Sequence, residues 1–360
     1  MNTKYELLNL MIKDMEIQND LYKPTTFWQH GSKLLIDELN ENDIKDFRNL
    51  TITRNYFVPG YTAVDYLINS KKYDKTINEF DKIVSDKRFV TRLKRVFNGD
   101  ASAFSDYRVL QSSNINKSPF TNKVSESKVG NPIEQHTIEN RNFSRSFMNY
   151  LLGLNFLKQT VDTSDIKTVM EIGGGFGTLG EILLQDDRND IFYINLDIPP
   201  VAFYSSYYLS TVFGSENIAT FDILKDKEVL DINKLKKEYK AINTCSWQIE
   251  KLQGEIDLFV NFISFQEMEP QVVQNYCNHI QRLNPKYILL RNILEGKKKK
   301  EKYNKNENNE PTFAGVDEPI LGEDYNTYLP NYELVATNSA IFGFITEDGF
   351  HSQLRIYKRK

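Results

Sequence analysis

The stretch Thr168-Val169-Met170-Glu171-Ile172-Gly173-Gly174-Gly175-Phe176-Gly177-Thr178-Leu179-Gly180 decides how this chain is read. An apolar run carries an acid near its end at Glu171, glycines crowd the next positions, and a helix-like pattern resumes at Thr178. A strand that delivers its tip into such a turn lets a ligand approach the backbone, because glycine has no Cβ and tolerates unusual φ/ψ. The stretch therefore predicts a strand, a turn and a helix that together open a nucleotide-type cofactor site.

Two registers compete. A G-x-G-x-x-G fingerprint laid on Gly175, Gly177 and Gly180 would mark a dinucleotide-dependent oxidoreductase. That register leaves two extra glycines between strand and fingerprint and gives Glu171 no role. The pattern acid-x-Gly-x-Gly-x-Gly is met in full by Glu171, Gly173, Gly175 and Gly177. It sets Glu171 at the strand's end, within reach of a cationic group or hydroxyl of the ligand. This second register resembles motif I of S-adenosylmethionine-dependent methyltransferases. Under it Glu171, Gly173, Gly174, Gly175 and Gly177 are cofactor-binding candidates.

The following segments extend the pattern. Ile191-Phe192-Tyr193-Ile194-Asn195-Leu196 is a second strand-like run ending in Asp197. An acid about 20 residues beyond the glycine turn, at a strand's carboxyl end, is placed to hold a ribose diol. Ile198 follows it as a candidate to pack on an adenine ring. A third short run, Ile218-Ala219-Thr220-Phe221, ends in Asp222, which suits an adenine amino group. The fourth, Ile256-Asp257-Leu258-Phe259-Val260-Asn261-Phe262, reads as a buried strand leading into Ser264, Gln266 and Glu267. In a doubly wound sheet the first and fourth strands flank the switch in strand order where ligands bind. Asn261 and Ser264 are thus further cofactor candidates. A fifth strand, Tyr287-Ile288-Leu289-Leu290, delivers Arg291 and Asn292 to the same rim. Residues 332–336 and 353–357 suit an antiparallel terminal hairpin. Five β/α alternations plus a hairpin predict an α/β fold: a Rossmann-like class I methyltransferase sheet behind an N-terminal helical accessory region.

Composition narrows the function classes. With 45 basic and 49 acidic residues the net charge is −4, which argues against a general nucleic-acid-binding surface. Only Cys245 and Cys277 occur, so neither a disulfide framework nor a zinc site is indicated. The opening residues lack the apolar stretch of a signal peptide, and no run approaches the ~20 apolar residues of a membrane span. A cytoplasmic location is expected. Residues 1–110 show helical periodicity, as in Leu7, Leu8, Met11, Ile12 and Met15, with a loop at 57–61. Residues 111–142 turn polar and read as a loop or lid that carries His136. Residues 143–360 form the cofactor-binding domain, opening with a helix over 143–157. The lysine- and asparagine-rich run 297–310 reads as a solvated loop, with a role in attracting an anionic substrate as the alternative. The aromatic-rich helical region could supply a dimer surface, or recruit a partner if the chain is a non-catalytic subunit.

Five segments together carry a narrower resemblance. They are Gly130-Asn131-Pro132, the helix before the first strand, Glu171 to Gly177, Leu196-Asp197-Ile198-Pro199-Pro200, and Ser264-Phe265-Gln266-Glu267-Met268. Over residues 125–295 or so the chain resembles a sugar O-methyltransferase family associated with bacterial surface polysaccharide gene sets. The resemblance implies methyl transfer from S-adenosylmethionine to a sugar or sugar-nucleotide hydroxyl, with S-adenosylhomocysteine as product. A small metabolite with a nitrogen, carboxylate or phosphate oxygen acceptor is the alternative. A sugar hydroxyl is a poor nucleophile at neutral pH, so a general base is expected. Glu267 is the first candidate and His136 the second, since histidine suits proton transfer near neutrality. Gln266, Arg291 and Asn292 are candidate acceptor-binding groups. Asp197, Asp222 and Glu267 leave a divalent metal open, although no ligand spacing demands one.

Overall fold

The computed structural model describes residues 3–57, 60–61, 70–299, 315–339, 341–342 and 351–360. Of the loop expected at 57–61, residues 58 and 59 therefore lie outside the described residues, and of the charged run 297–310 only Lys297, Lys298 and Lys299 are described.

The sheet is built from β1 (Thr168–Ile172), β2 (Phe192–Asp197), β3 (Ile218–Thr220), β4 (Ala241–Cys245), β5 (Leu258–Phe262), β6 (Tyr287–Ile293), β7 (Tyr332–Asn338) and β8 (Ser352–Arg359). Its order is β7-β8-β6-β5-β1-β2-β4-β3. Strands β1 to β6 pair in parallel, and β8 runs antiparallel between β6 and β7. Every residue of β1, β2, β4 and β5 is buried, because helices cover both faces of a parallel sheet. The chain leaves β1 toward β2 and later returns on its other side at β5, so the switch in strand order lies at the tip of β1. This is the sheet of class I methyltransferases with one strand added.

That added strand corrects the sequence expectation. Ile218–Thr220 forms the outer edge, and the place beside β2 is taken by Ala241-Ile242-Asn243-Thr244-Cys245. This segment lacks a continuous apolar run because its central polar residue is satisfied internally. Asn243 donates to the Ala202 carbonyl at 2.9 Å and to Ser206 Oγ at 2.7 Å, and accepts from Asn195 at 2.7 Å. Ala202 and Ser206 belong to a helix packed on the sheet, so tertiary contacts pay the desolvation of the amide.

Among the described residues the α-helices are α1 (Glu6–Glu16), α2 (Thr26–Glu41), α3 (Thr51–Phe57), α4 (Ser70–Ile83), α5 (Lys87–Phe97), α6 (Asp100–Ser113), α7 (Arg145–Thr160), α8 (Thr178–Leu184), α9 (Val201–Phe213), α10 (Phe221–Leu224), α11 (Ile232–Glu238), α12 (Pro270–Leu283) and α13 (Asp324–Tyr328). Leu8 and Met11 of α1, Leu35 and Leu39 of α2, and Phe47 belong to the same apolar core as the sheet. Phe47 wedges against Phe176 of the glycine turn and Tyr204 and Tyr208 of α9, at ring distances of 5.4 to 6.2 Å.

Residues 114–142 are also tied down. They include a hairpin, His136–Ile138 against Arg141–Phe143, turned by Glu139 and Asn140 at φ 51° and 62°. Strands of three residues are too short to show alternation in sequence, so the polar composition concealed them. Arg48 anchors the segment. Its backbone N–H donates to the Gly130 carbonyl at 2.8 Å, and its guanidinium holds Glu126 at 2.9 Å, Glu134, and the Ser127 carbonyl at 3.1 Å. The three charged side chains are fully buried. Glu126 also receives the backbone N–H and hydroxyl of Ser144, which caps α7. The guanidinium lies 4.9 Å from the centre of the Phe176 ring.

One cation thus joins the N-terminal region, the polar segment, the start of α7 and the glycine turn. Arg48→Met would leave two adjacent buried carboxylates without their cation, and a loss of about 3–5 kcal/mol is expected. The check is a lower urea midpoint at unchanged m value, with Arg48→Lys recovering only part of the loss.

Candidate functional site

A cavity of about 500 Å³ opens at the carboxyl ends of β1, β2, β4 and β5, beside the switch in strand order. Its size suits a small-molecule or cofactor site. Gly173, Gly174 and Gly175 form one wall. A Cβ on Gly173 would sit 2.0 Å from Ser264 Oγ, and one on Gly174 would sit 2.4 Å from Asn195 Oδ1. Gly175 differs: its φ is +59°, and nothing lies within 4 Å of where a Cβ would be. Its open side gives a ligand access to the backbone. Gly177, at φ 101°, starts α8, and Gly180 packs on the Tyr193 ring. Neither lines the cavity.

Asp197, at the tip of β2, lines the cavity and is held by the turn. Its Oδ2 accepts from the Gly175 N–H at 3.2 Å and its Oδ1 from the Ile198 N–H at 2.8 Å. Burial raises its pKa well above the usual carboxylate range, and those two N–H groups oppose the shift. Each oxygen keeps a lone pair for a ligand hydroxyl. Ile198 lines the cavity beside it.

Glu171 does not face the cavity. Its oxygens accept from the Tyr150 hydroxyl at 2.7 Å and the Tyr193 hydroxyl at 2.5 Å, beneath Gly174. Alternation along β1 turns this side chain into the layer between sheet and helices, where it supports the turn from below. Asp222 also misses the cavity. It is exposed on α10, bonded to Thr220, because β4 displaces β3 to the sheet edge. In its place Ser246, just past β4, lines the cavity. Sequence could have found it only by recognising β4.

At the tip of β5 the candidates divide. Ser264, Glu267 and, on β6, Arg291 line the cavity. Asn261 lies behind it, donating to the Ile172 carbonyl at 2.9 Å and to Ser264 Oγ at 2.6 Å. Asn292 bonds Asn261 at 3.2 Å, and Gln266 accepts the Ile293 N–H at 2.7 Å. Asn261, Gln266 and Asn292 therefore knit β1, β5 and β6 together and leave no side chain for an acceptor.

Glu267 is a held carboxylate: Trp28 Nε1 donates to it at 3.1 Å and Lys297 Nζ at 2.7 Å. Trp28, Asn55, Tyr56 and Phe57 bring the N-terminal helices over the cavity as a wall, a contribution that periodicity alone could not reveal. Arg145, Ser146 and Tyr150 of α7 complete it. His136 is elsewhere. It is buried in the short hairpin, with Nδ1 2.8 Å from Asp100 of α6 and its ring against Tyr61. Nor do Asp197, Asp222 and Glu267 gather, and among the described residues no group of three His, Cys, Asp or Glu is arranged to hold a metal ion. No described helix is long and apolar enough to cross a membrane.

No family model matches the chain, and no curated protein does. Among solved structures the chain is similar to the mitomycin 7-O-methyltransferase MmcR, with 13% identity over 74% of this chain and 71% of that one, at a TM-score of 0.37. It is similar to magnesium protoporphyrin IX methyltransferase from Synechocystis PCC 6803 with bound SAM, with 10% identity over 59% and 84% of the two chains and a TM-score of 0.36. For the PH0226 protein of Pyrococcus horikoshii OT3 the values are 12%, 60%, 92% and 0.38. With likenesses this distant, the fold assignment rests on the strand order itself.

The carboxyl of Glu171 is pushed up to about 7 by burial, with the tyrosine hydroxyls opposing. The folded state then keeps a proton that the unfolded chain releases above the ordinary value of 4.5. Its contribution is complete below pH 4.5 and lost as pH rises to 7. Glu171→Gln should remove that slope, so the stability difference between variant and wild type shifts toward the variant by up to about 3 kcal/mol over this range. Urea unfolding from pH 5 to 8 would show it; parallel curves would refute it.

Proposed function

We propose that this protein is an S-adenosylmethionine-dependent methyltransferase acting on a hydroxyl oxygen of a small molecule, and that the acceptor is a sugar or sugar nucleotide. The observation that carries the first part is Asp197 bonded to the Gly175 N–H at the switch in strand order, facing a cavity beside a glycine open to a ligand. The order β7-β8-β6 supports it against a dinucleotide-dependent oxidoreductase, because the antiparallel β8 occupies the place where a sixth parallel strand would continue the sheet. Gly180 does not discriminate, since helix–strand packing is also the role of the third fingerprint glycine. The sugar acceptor is supported by the five resembling segments.

The cavity residues fit the cofactor. Asp197 would take the ribose hydroxyls, Ile198 and Ser246 would flank the adenine, and Gly173 to Gly175 would leave the backbone open to the amino-acid part. When bound, the cofactor supplies a methyl group already activated on a sulfonium. The chain must then orient the acceptor hydroxyl and receive its proton. Glu267 would take that proton; the reading is supported by its place on the cavity wall, where Trp28 and Lys297 hold its carboxylate.

Isothermal titration should show saturable S-adenosylhomocysteine binding, weakened at least tenfold by Asp197→Ala, as loss of the hydrogen bonds to both ribose hydroxyls predicts. A folded protein that binds none would sink the reading. Glu267→Gln should lower methyl transfer by about 10²–10⁴-fold at unchanged S-adenosylhomocysteine affinity. Turnover against nucleotide-activated sugars, with mass detection of the product, tests the acceptor; methylation of only non-sugar metabolites overturns that part.

A further inference from the structure

Of the three cations on the cavity wall, Lys297 and Arg145 have a carboxylate beside them and Arg291 does not, among the described residues. Lys297 is neutralised by Glu267, which receives its ammonium at 2.7 Å. Asp197 is satisfied by two backbone N–H groups. Arg145 has Asp106 as an electrostatic partner. Arg291 has no carboxylate partner among the described residues: the group that favours its charge is Tyr150, whose hydroxyl is committed to Glu171, and the arginine's own Nε is buried without a hydrogen bond. Its guanidinium lies over the Phe262 ring at 5.6 Å, and that ring stacks on Tyr150 at 4.6 Å and 4°. The stack fixes where the cation points without neutralising it. Burial lowers its pKa to about 10, with Tyr150 opposing and Arg145 adding to the shift, and the group stays charged at neutral pH. Arg291 is half-buried with its Nε shut away from water, and a cation so placed is costly unless something pairs with it.

Its place in the sheet separates it from the donor's nucleoside. Asp197 marks the ribose end on β2 and Ser246 continues that side on β4, whereas Arg291 stands on β6. At the usual strand spacing, β6 is about 10 Å from β1 and about 14 Å from β2. On the proposed reading of the cavity, β6 is the acceptor's end. We infer that the acceptor carries an oxyanion, a carboxylate or phosphate group, and that Arg291 is the residue that binds it through its planar fork. A guanidinium matches both groups in bidentate geometry, which an ammonium does not. The specificity follows: a neutral acceptor would leave Arg291 unpaired and is selected against.

The inference rests on the methyltransferase reading for its donor end, and the test keeps the two apart. Inorganic phosphate is titrated into the full-length protein saturated with S-adenosylhomocysteine, for wild type, Arg291→Met and Arg291→Lys. Saturable phosphate binding to wild type, weakened at least tenfold in Arg291→Met and partly restored in Arg291→Lys, is expected, with S-adenosylhomocysteine affinity unchanged within twofold. Absent saturable phosphate binding to wild type, or equal binding by Arg291→Met, overturns the inference. So does a tenfold loss of S-adenosylhomocysteine affinity in Arg291→Met, which would assign the arginine to the donor's own carboxylate. If wild type binds no S-adenosylhomocysteine, the methyltransferase reading falls, while the phosphate titration without it still decides whether Arg291 is an anion site. Thermal unfolding of each variant confirms folding, and Arg291→Gln replaces Arg291→Met if that variant does not fold.

Discussion

The turn at the tip of β1 has no room for a β-carbon. Ser264 Oγ occupies the space such an atom would need at Gly173, and Asn195 Oδ1 occupies it at Gly174. The tips of β1, β2 and β5 can therefore close to hydrogen-bonding distance. Asp197 reaches Gly175, while Asn261 and Ser264 reach the Ile172 carbonyl. Gly175 is the exception that makes the arrangement useful, since its free side opens on the cavity. Rigid support beneath and open backbone above is the preorganisation that a cofactor site requires.

The roof is assembled from parts distant in sequence. Trp28 reaches Glu267 across 239 positions, and Arg48 reaches Glu126 and Glu134 across 78 and 86. A buried triad of one cation and two carboxylates is not a strong source of net stability, because desolvation offsets much of its attraction. What it supplies is register: the guanidinium fork accepts one arrangement of the two carboxylates, and Glu126 in turn caps α7 through Ser144. The cavity's shape thus depends on a contact that does not itself line it.

Much of the sheet was legible because parallel strands buried on both faces leave continuous apolar runs ending at polar tips. This held for β1, β2, β5 and β6. It failed for β4, whose Asn243 and Thr244 break the run, and the failure carried Asp222 into the candidate list in place of Ser246. It failed again for the three-residue strands around His136, which place that histidine against Asp100. Residue type alone could not separate side chains that line the cavity from those that brace it. Glu171, Asn261, Gln266 and Asn292 are all polar groups at strand ends, yet their hydrogen bonds run to the surrounding protein.

By itself, the sequence determined the strand–turn–helix at Glu171 to Gly180, the acid at the end of β2 and the antiparallel close of the sheet, since these follow from local periodicity and from what glycine permits. Only the tertiary structure decided which strand lies beside β2, that the N-terminal helices wall the cavity, and that Arg291 faces it with no carboxylate beside it among the described residues whereas Lys297 is paired with Glu267. Strand order and charge pairing are relations between segments far apart in the chain. They are set by which buried surfaces and polar groups satisfy one another, and no local pattern records that.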